Sequence, residues 1–133
     1  MIKETITYID YNGTERTEDF YFHLTEAELM KMELGTKGGY AEMVQRIVQA
    51  QDQPAIIAVF EELIHHSYGV KTLDGKGFLK RAADLEAFIS TEAYSKLFMK
   101  LATDADAAAR FINGVVPAHM AQNAQPVMVP NAL

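Results

Sequence analysis

The sequence predicts an α+β fold, mainly α: an N-terminal β-hairpin followed by a bundle of five to six short helices. Two observations carry this prediction. The first two dozen residues alternate apolar and polar around Asn12-Gly13, as two strands joined by a tight turn do. From Thr25 onward, apolar residues recur every three or four positions between capping residues and glycines.

In the first strand Ile2, Ile6 and Tyr8 share one face, because successive strand side chains point to opposite sides. The return strand, residues 15–24, puts Phe20, Phe22 and Leu24 on one face and Tyr21 and His23 on the other. Five of the thirteen aromatic residues lie in this hairpin, whose span is residues 2–24. A lone two-stranded ribbon is marginal in water, so one face must pack on the helices or on another copy. Tyr8, Phe20 and Phe22 are therefore candidate partner-binding residues.

Helices are expected between residues 25 and 114. Thr25 with Glu28 forms a capping box, and Leu24 with Leu29 a hydrophobic staple. That helix should stop near Leu34-Gly35, with Gly38-Gly39 loosening the connection. Residues 40–51 suit a second helix burying Met43, Val44 and Ile47, with Val48 at the edge of the same face. Pro54 fits the first turn of a third, whose stripe is Ile56, Ile57, Val59, Phe60, Leu63 and Ile64. Gly69 should end it, leaving residues 70–77 as a turn-rich loop. Leu85, Phe88 and Ile89 pattern the next helix; Tyr94, Leu97, Phe98 and Leu101 pattern another, with Ser90-Thr91 as the cap between. Thr103 with Asp106 caps a short alanine-rich helix that Asn113-Gly114 should end. Met30, Met32, Met43 and Met99 could fill core gaps or serve a surface that accepts helical partners by repacking, core filling being the usual role and the one expected of the first three.

One globular domain, residues 1–116, accounts for these elements. Residues 117–133 contain no Asp, Glu, Lys or Arg and three of the four prolines, and suit an extended or disordered tail. Within it Pro126, Val127, Met128 and Val129 form an uncharged apolar segment that could add a strand to a partner or lie in its groove.

Composition excludes several classes. Twelve basic against eighteen acidic residues give a net charge of −6, which argues against a general nucleic-acid binder. No apolar run approaches the ~20 residues that span a bilayer, and the N-terminus lacks an export pattern. Absence of cysteine removes thiol nucleophiles and thiolate metal sites.

Catalytic patterns are near-misses. Gly69 to Gly77 has five residues between its first two glycines and no hydroxyl after Lys76, so it departs from a phosphate-binding loop. Glu61 with His65, and Glu62 with His66, are spaced for one helical face but lack the usual third zinc ligand. Asp104-Ala105-Asp106 lacks the rest of a calcium loop. Lys71, Lys76, Lys80 and Arg81 make the one basic cluster, which reads as a solvated face. No cofactor, metal site or catalytic residue is expected.

Tyr11-Asn12-Gly13-Thr14-Glu15-Arg16-Thr17-Glu18-Asp19-Phe20-Tyr21-Phe22 and Leu24-Thr25-Glu26-Ala27-Glu28-Leu29 resemble the N-terminus of small tail assembly chaperones. These proteins belong to long-tailed bacteriophages and prophages of Gram-positive bacteria. The likeness continues through Leu63-Ile64-His65-His66-Ser67-Tyr68-Gly69 and Asp74-Gly75-Lys76-Gly77-Phe78. It is strongest at Thr91-Glu92-Ala93-Tyr94-Ser95-Lys96-Leu97-Phe98 and covers residues 1–117. The resemblance implies a non-enzymatic morphogenesis factor of the bacterial host cytoplasm, absent from the mature virion. Its implied partner is the tape-measure protein, kept soluble while the tail tube polymerises. The major tail tube protein and a second copy of the chain are further candidate partners. Two alternatives stand beside this reading: a structural tail component of terminator or connector type, retained in the virion, and a small metal-dependent hydrolase using His65 and His66.

Overall fold

The computed structural model describes residues 1–116. Strands β1 (Ile2–Ile9) and β2 (Glu15–Phe22) pair antiparallel from Ile2 opposite Phe22 to Ile9 opposite Glu15. Asp10 organises the turn between them: its carboxylate accepts the N–H groups of Asn12 and Thr14 and pairs with Arg16 at 2.7 Å. Gly13 takes a φ of 83°, the left-handed conformation that glycine adopts without a steric penalty.

Six helices follow: α1 (Glu26–Leu34), α2 (Tyr40–Gln49), α3 (Gln53–Ser67), α4 (Ala82–Ile89), α5 (Glu92–Thr103) and α6 (Ala105–Val115). The expected mainly helical α+β class is what the chain adopts. The Thr25–Glu28 capping box forms in both directions, at 2.9 and 3.1 Å. Asp52 caps α3 through the Ala55 N–H, with Pro54 in the first turn as predicted. Thr91 caps α5. Two helix ends depart from expectation. Asp104, one residue beyond Thr103, caps α6 by accepting the Ala107 N–H at 3.1 Å, while the Thr103 hydroxyl donates back to the Met99 carbonyl. Helix α6 also runs through Asn113-Gly114 to Val115.

The segment read as a loop is instead a second hairpin. Strands β3 (Tyr68–Lys71) and β4 (Phe78–Leu79) pair with each other, and β3 pairs with β2, giving a four-stranded antiparallel sheet of order β1-β2-β3-β4. Gly69 is therefore a strand residue. A Cβ there would lie 2.6 Å from the Phe78 ring and 2.9 Å from the Leu79 carbonyl, so close strand packing explains the glycine. In the turn, Asp74 accepts the Thr72 hydroxyl and the Lys76 N–H, and Gly77 donates to Thr72.

Helices α4, α5 and α6 pack on the face of the sheet carrying Ile2, Ile6, Tyr8, Phe20 and Phe22. Phe88 is the only buried residue of α4 and sits at the centre of the aromatic core. It stacks on Tyr68 at 4.4 Å between ring centroids and lies 4.9 Å from Phe20, 5.8 Å from Phe22 and 5.6 Å from Tyr94. Aromatic pairs at such spacings add stabilisation beyond the area they bury. Odd-numbered positions of β1 face solvent, where Thr5 bonds Asp19 and Thr7 bonds Thr17.

Candidate partner-binding site

The hairpin candidates lie largely inside the molecule. Phe22 is 0% exposed and packs against Phe111 at 5.3 Å, so as folded it has no surface to offer a partner. Tyr8 is 5% exposed, and its hydroxyl donates to Glu18 at 2.5 Å. That hydrogen bond, with burial, pushes the Tyr8 phenol up. Phe20 is half-buried against Phe88. Aromatic residues on the inner face of an amphipathic hairpin are the first to be covered when helices pack there. Pro126, Val127, Met128 and Val129 lie outside the described residues.

Apolar surface open to a partner occurs elsewhere. Helix α2 repeats Tyr40, Met43, Val44, Ile47 and Val48 along one face, with Glu42, Gln45, Arg46 and Gln49 off it. Its N-terminus follows Gly39, whose φ is 94°, and the Glu33 carboxylate of α1 supplies the missing cap by accepting the Ala41 N–H at 3.0 Å. Tyr40 and Val44 reach the core, while Ile47 and Val48 are only half-buried. Helix α3 turns Ile56, Phe60, Leu63 and Ile64 inward and leaves Val59 half-buried. Between them opens a furrow lined by Val44, Ile47, Val48, Val59, Phe60 and, from α6, Ile112. Among the described residues, no charged or polar side chain lines it. Such a surface can bind apolar groups by contact and desolvation, with no hydrogen bond to satisfy.

A second apolar feature is a ridge on α1, which has no fully buried residue. Met30 is 64% and Leu34 80% exposed, four residues apart on one helical face. Met30 thus departs from the expected core role, because α1 rests on the core through Leu29 and Met32 instead. Met32 and Met43 are half-buried against the core.

Chemistry-bearing side chains are tied into the fold. His65 Nε2 is 3.1 Å from the Tyr94 hydroxyl, and among the described residues no three His, Asp or Glu side chains gather as a metal site would require. The basic cluster is dispersed: Lys71 lies over the Tyr21 ring at 4.2 Å and Arg81 pairs with Asp84 at 2.6 Å. Lys80 turns toward the protein, donating to the His23 carbonyl at 2.6 Å, the His66 carbonyl at 2.8 Å and both Glu28 oxygens at 2.8 Å. Burial works to raise the Glu28 carboxyl, but Lys80 and the Thr25 N–H together hold it below its ordinary value. A cleft of about 400 Å³ between α1, α2 and α3 contains Tyr40, whose phenol is pushed far up by burial and by the nearby Glu62 charge. At neutral pH that phenol stays protonated, a hydrogen-bond donor rather than a base.

Fold and surface together define a small α+β protein whose accessible apolar features suit contact with another polypeptide. Over residues 1–130 the chain matches the family described as phage tail assembly chaperone, and it belongs to that family. The match reaches past the described residues and includes the segment from Pro126 to Pro130. No curated protein and no solved structure matches the chain. Among the described residues, no helix is long and apolar enough to cross a membrane.

Proposed function

We propose that this tail assembly chaperone binds the tape-measure protein and keeps it soluble until the tail tube forms around it. The observation that carries this reading is the uncharged furrow between α2, α3 and α6, open beside the half-buried Ile47, Val48 and Val59. A long helical client exposes apolar stripes, which self-associate unless covered. The furrow covers part of such a stripe, while the −6 net charge of the chaperone opposes aggregation of the complex. No covalent bond is made or broken in this role. Contacts made mainly by apolar area, without deeply anchored ion pairs, release readily when tail-tube subunits compete for the same client.

Co-expression with the tape-measure product of the same phage tests the reading. Omitting the chaperone should lower the soluble fraction of that product several-fold. Val48→Glu, at a half-buried position, should lower it similarly while the circular dichroism spectrum stays native. Equal solubility of the tape-measure product with and without the chaperone refutes the reading.

A further inference from the structure

We propose that the open edge of β2 binds an extended basic segment of another polypeptide as an added strand, two of its lysine or arginine side chains facing Glu15 and Asp19. This site shares no residue with the α2–α3–α6 furrow and does not rest on the function proposed above.

The hydrogen-bond alternation of the first hairpin fixes what that edge presents. The Asp10 N–H donates to the Thr14 carbonyl at 2.9 Å, so Tyr8 with Arg16, Ile6 with Glu18 and Glu4 with Phe20 are the pairs that exchange backbone bonds. The N–H and C=O groups of Glu15, Thr17, Asp19 and Tyr21 therefore point away from β1. Strand β3 meets only the last of these: Tyr21 lies opposite Gly69, and the His23 N–H donates to the Ser67 carbonyl at 2.8 Å. The next pairs in that register, Phe20 with Val70 and Asp19 with Lys71, do not form, and β3 turns aside with β4. A notch of about 220 Å³ opens at this fork, lined by Asp19 and Phe20 from β2 and by Val70 and Lys71 from β3. Among the described residues nothing bonds the outward backbone groups of Glu15, Thr17 and Asp19, and all three residues are exposed.

The other edge of the hairpin is guarded. Lys96 of α5 donates to the Thr7 carbonyl at 3.0 Å, and Lys100 pairs with Glu4 at 3.1 Å. Lysines placed in this way keep a sheet edge from recruiting further strands. No lysine reaches the β2 edge between residues 15 and 19 among the described residues.

Charge selects the occupant. Glu15 and Asp19 stand on the same outer face about 13 Å apart. Neither is in an ion pair among the described residues. A strand laid beside β2 sets side chains four residues apart opposite them, where opposite charges stabilise cross-strand pairs. A second copy of β2 fits badly, because antiparallel pairing about Thr17 sets Glu15 against Asp19 twice. Residues 117–133 contain no Lys or Arg to answer the two carboxylates. An extended segment with basic residues at i and i+4 meets both demands, backbone pairing for affinity and charge for register.

Titrating the ¹⁵N-labelled full chain with the capped peptide Thr-Lys-Val-Thr-Val-Lys-Thr tests this. The Glu15, Thr17 and Asp19 amide resonances should shift saturably and their hydrogen exchange should slow by about fivefold or more, while those of Lys3, Thr5 and Thr7 stay unchanged. The double variant Glu15→Lys, Asp19→Lys should weaken binding by about tenfold with an unchanged urea midpoint. Replacing both peptide lysines by glutamate should abolish it. Thr17→Pro removes an outward N–H and no bond to β1, so it should weaken the peptide similarly; Thr7→Pro, its counterpart on the guarded edge, should not. Exchange protection in the unaltered chain keeps the test independent of whether Thr17→Pro folds. Absence of a saturable shift along β2 at millimolar peptide overturns the proposal. Equal binding of the glutamate peptide also overturns it, since charge then selects nothing. Full affinity in a folded Thr17→Pro variant does so too, leaving side-chain attraction without an added strand. Slow exchange at residues 15, 17 and 19 without peptide, lost on dilution, would give the edge to a second copy and refute the proposal as well.

Discussion

Lys80 joins three parts of the chain through one ammonium: the end of β2 at His23, the end of α3 at His66 and the first turn of α1 at Glu28. In sequence it stands among surface lysines, and nothing local marks it as different. Lys80→Met should lower stability by about 1–2 kcal/mol in urea unfolding, since charged hydrogen bonds are lost at a site partly screened by water. Beside it, His23 carries an Nδ1 that is buried without a hydrogen-bond partner among the described residues. Burial, then the positive charges of the N-terminal ammonium and Lys80, lowers the His23 pKa from its ordinary 6.5. The unfolded chain thus binds a proton at a pH where the folded one does not. This contribution to stability is present above pH 6.5 and is lost as pH falls through that value toward the folded pKa. His23→Phe should flatten the stability profile between pH 7 and pH 5.5, measured by urea midpoints; an unchanged slope would refute the assignment.

At the scale of elements, α6 shows why a glycine need not end a helix. Gly114 lies where α6 crosses β1, and a Cβ there would stand 2.9 Å from Ile2 Cβ. Gly114→Ala gains roughly 1 kcal/mol of helix propensity, but overpacking costs about 1–3 kcal/mol. The branched Ile2 Cβ is no flexible tip, so packing wins and the variant should be less stable. A lower urea midpoint with an unchanged slope checks this. Strands β3 and β4 were illegible for a related reason. Four residues and two residues are too short to display a period, and they become strands only because β2 offers an edge to pair with. The capping box of α1, by contrast, depends on four consecutive residues and was readable directly.

For the whole molecule, helices α4, α5 and α6 cover one sheet face, while the apolar furrow lies away from the sheet between α2, α3 and α6. A protein that binds reversibly by apolar contact should leave when the tube closes around its client. Mass spectrometry of purified virions should therefore find it far below the copy number of tail subunits. Stoichiometric retention would favour the structural-component alternative.

The sequence by itself determined the N-terminal hairpin, its inner face, a run of five to six helices and the Thr25 and Thr91 caps, because each depends on neighbours within a few positions. It also carried the family resemblance. Tertiary structure alone decided which apolar residues remain available. Phe22 and Ile47 look equally apolar in a list of residues, yet Phe22 is enclosed by Tyr68, Phe88 and Phe111 while Ile47 borders a furrow. Periodicity identifies the face of an element that avoids water, but accessibility depends on what else in the chain packs against that face.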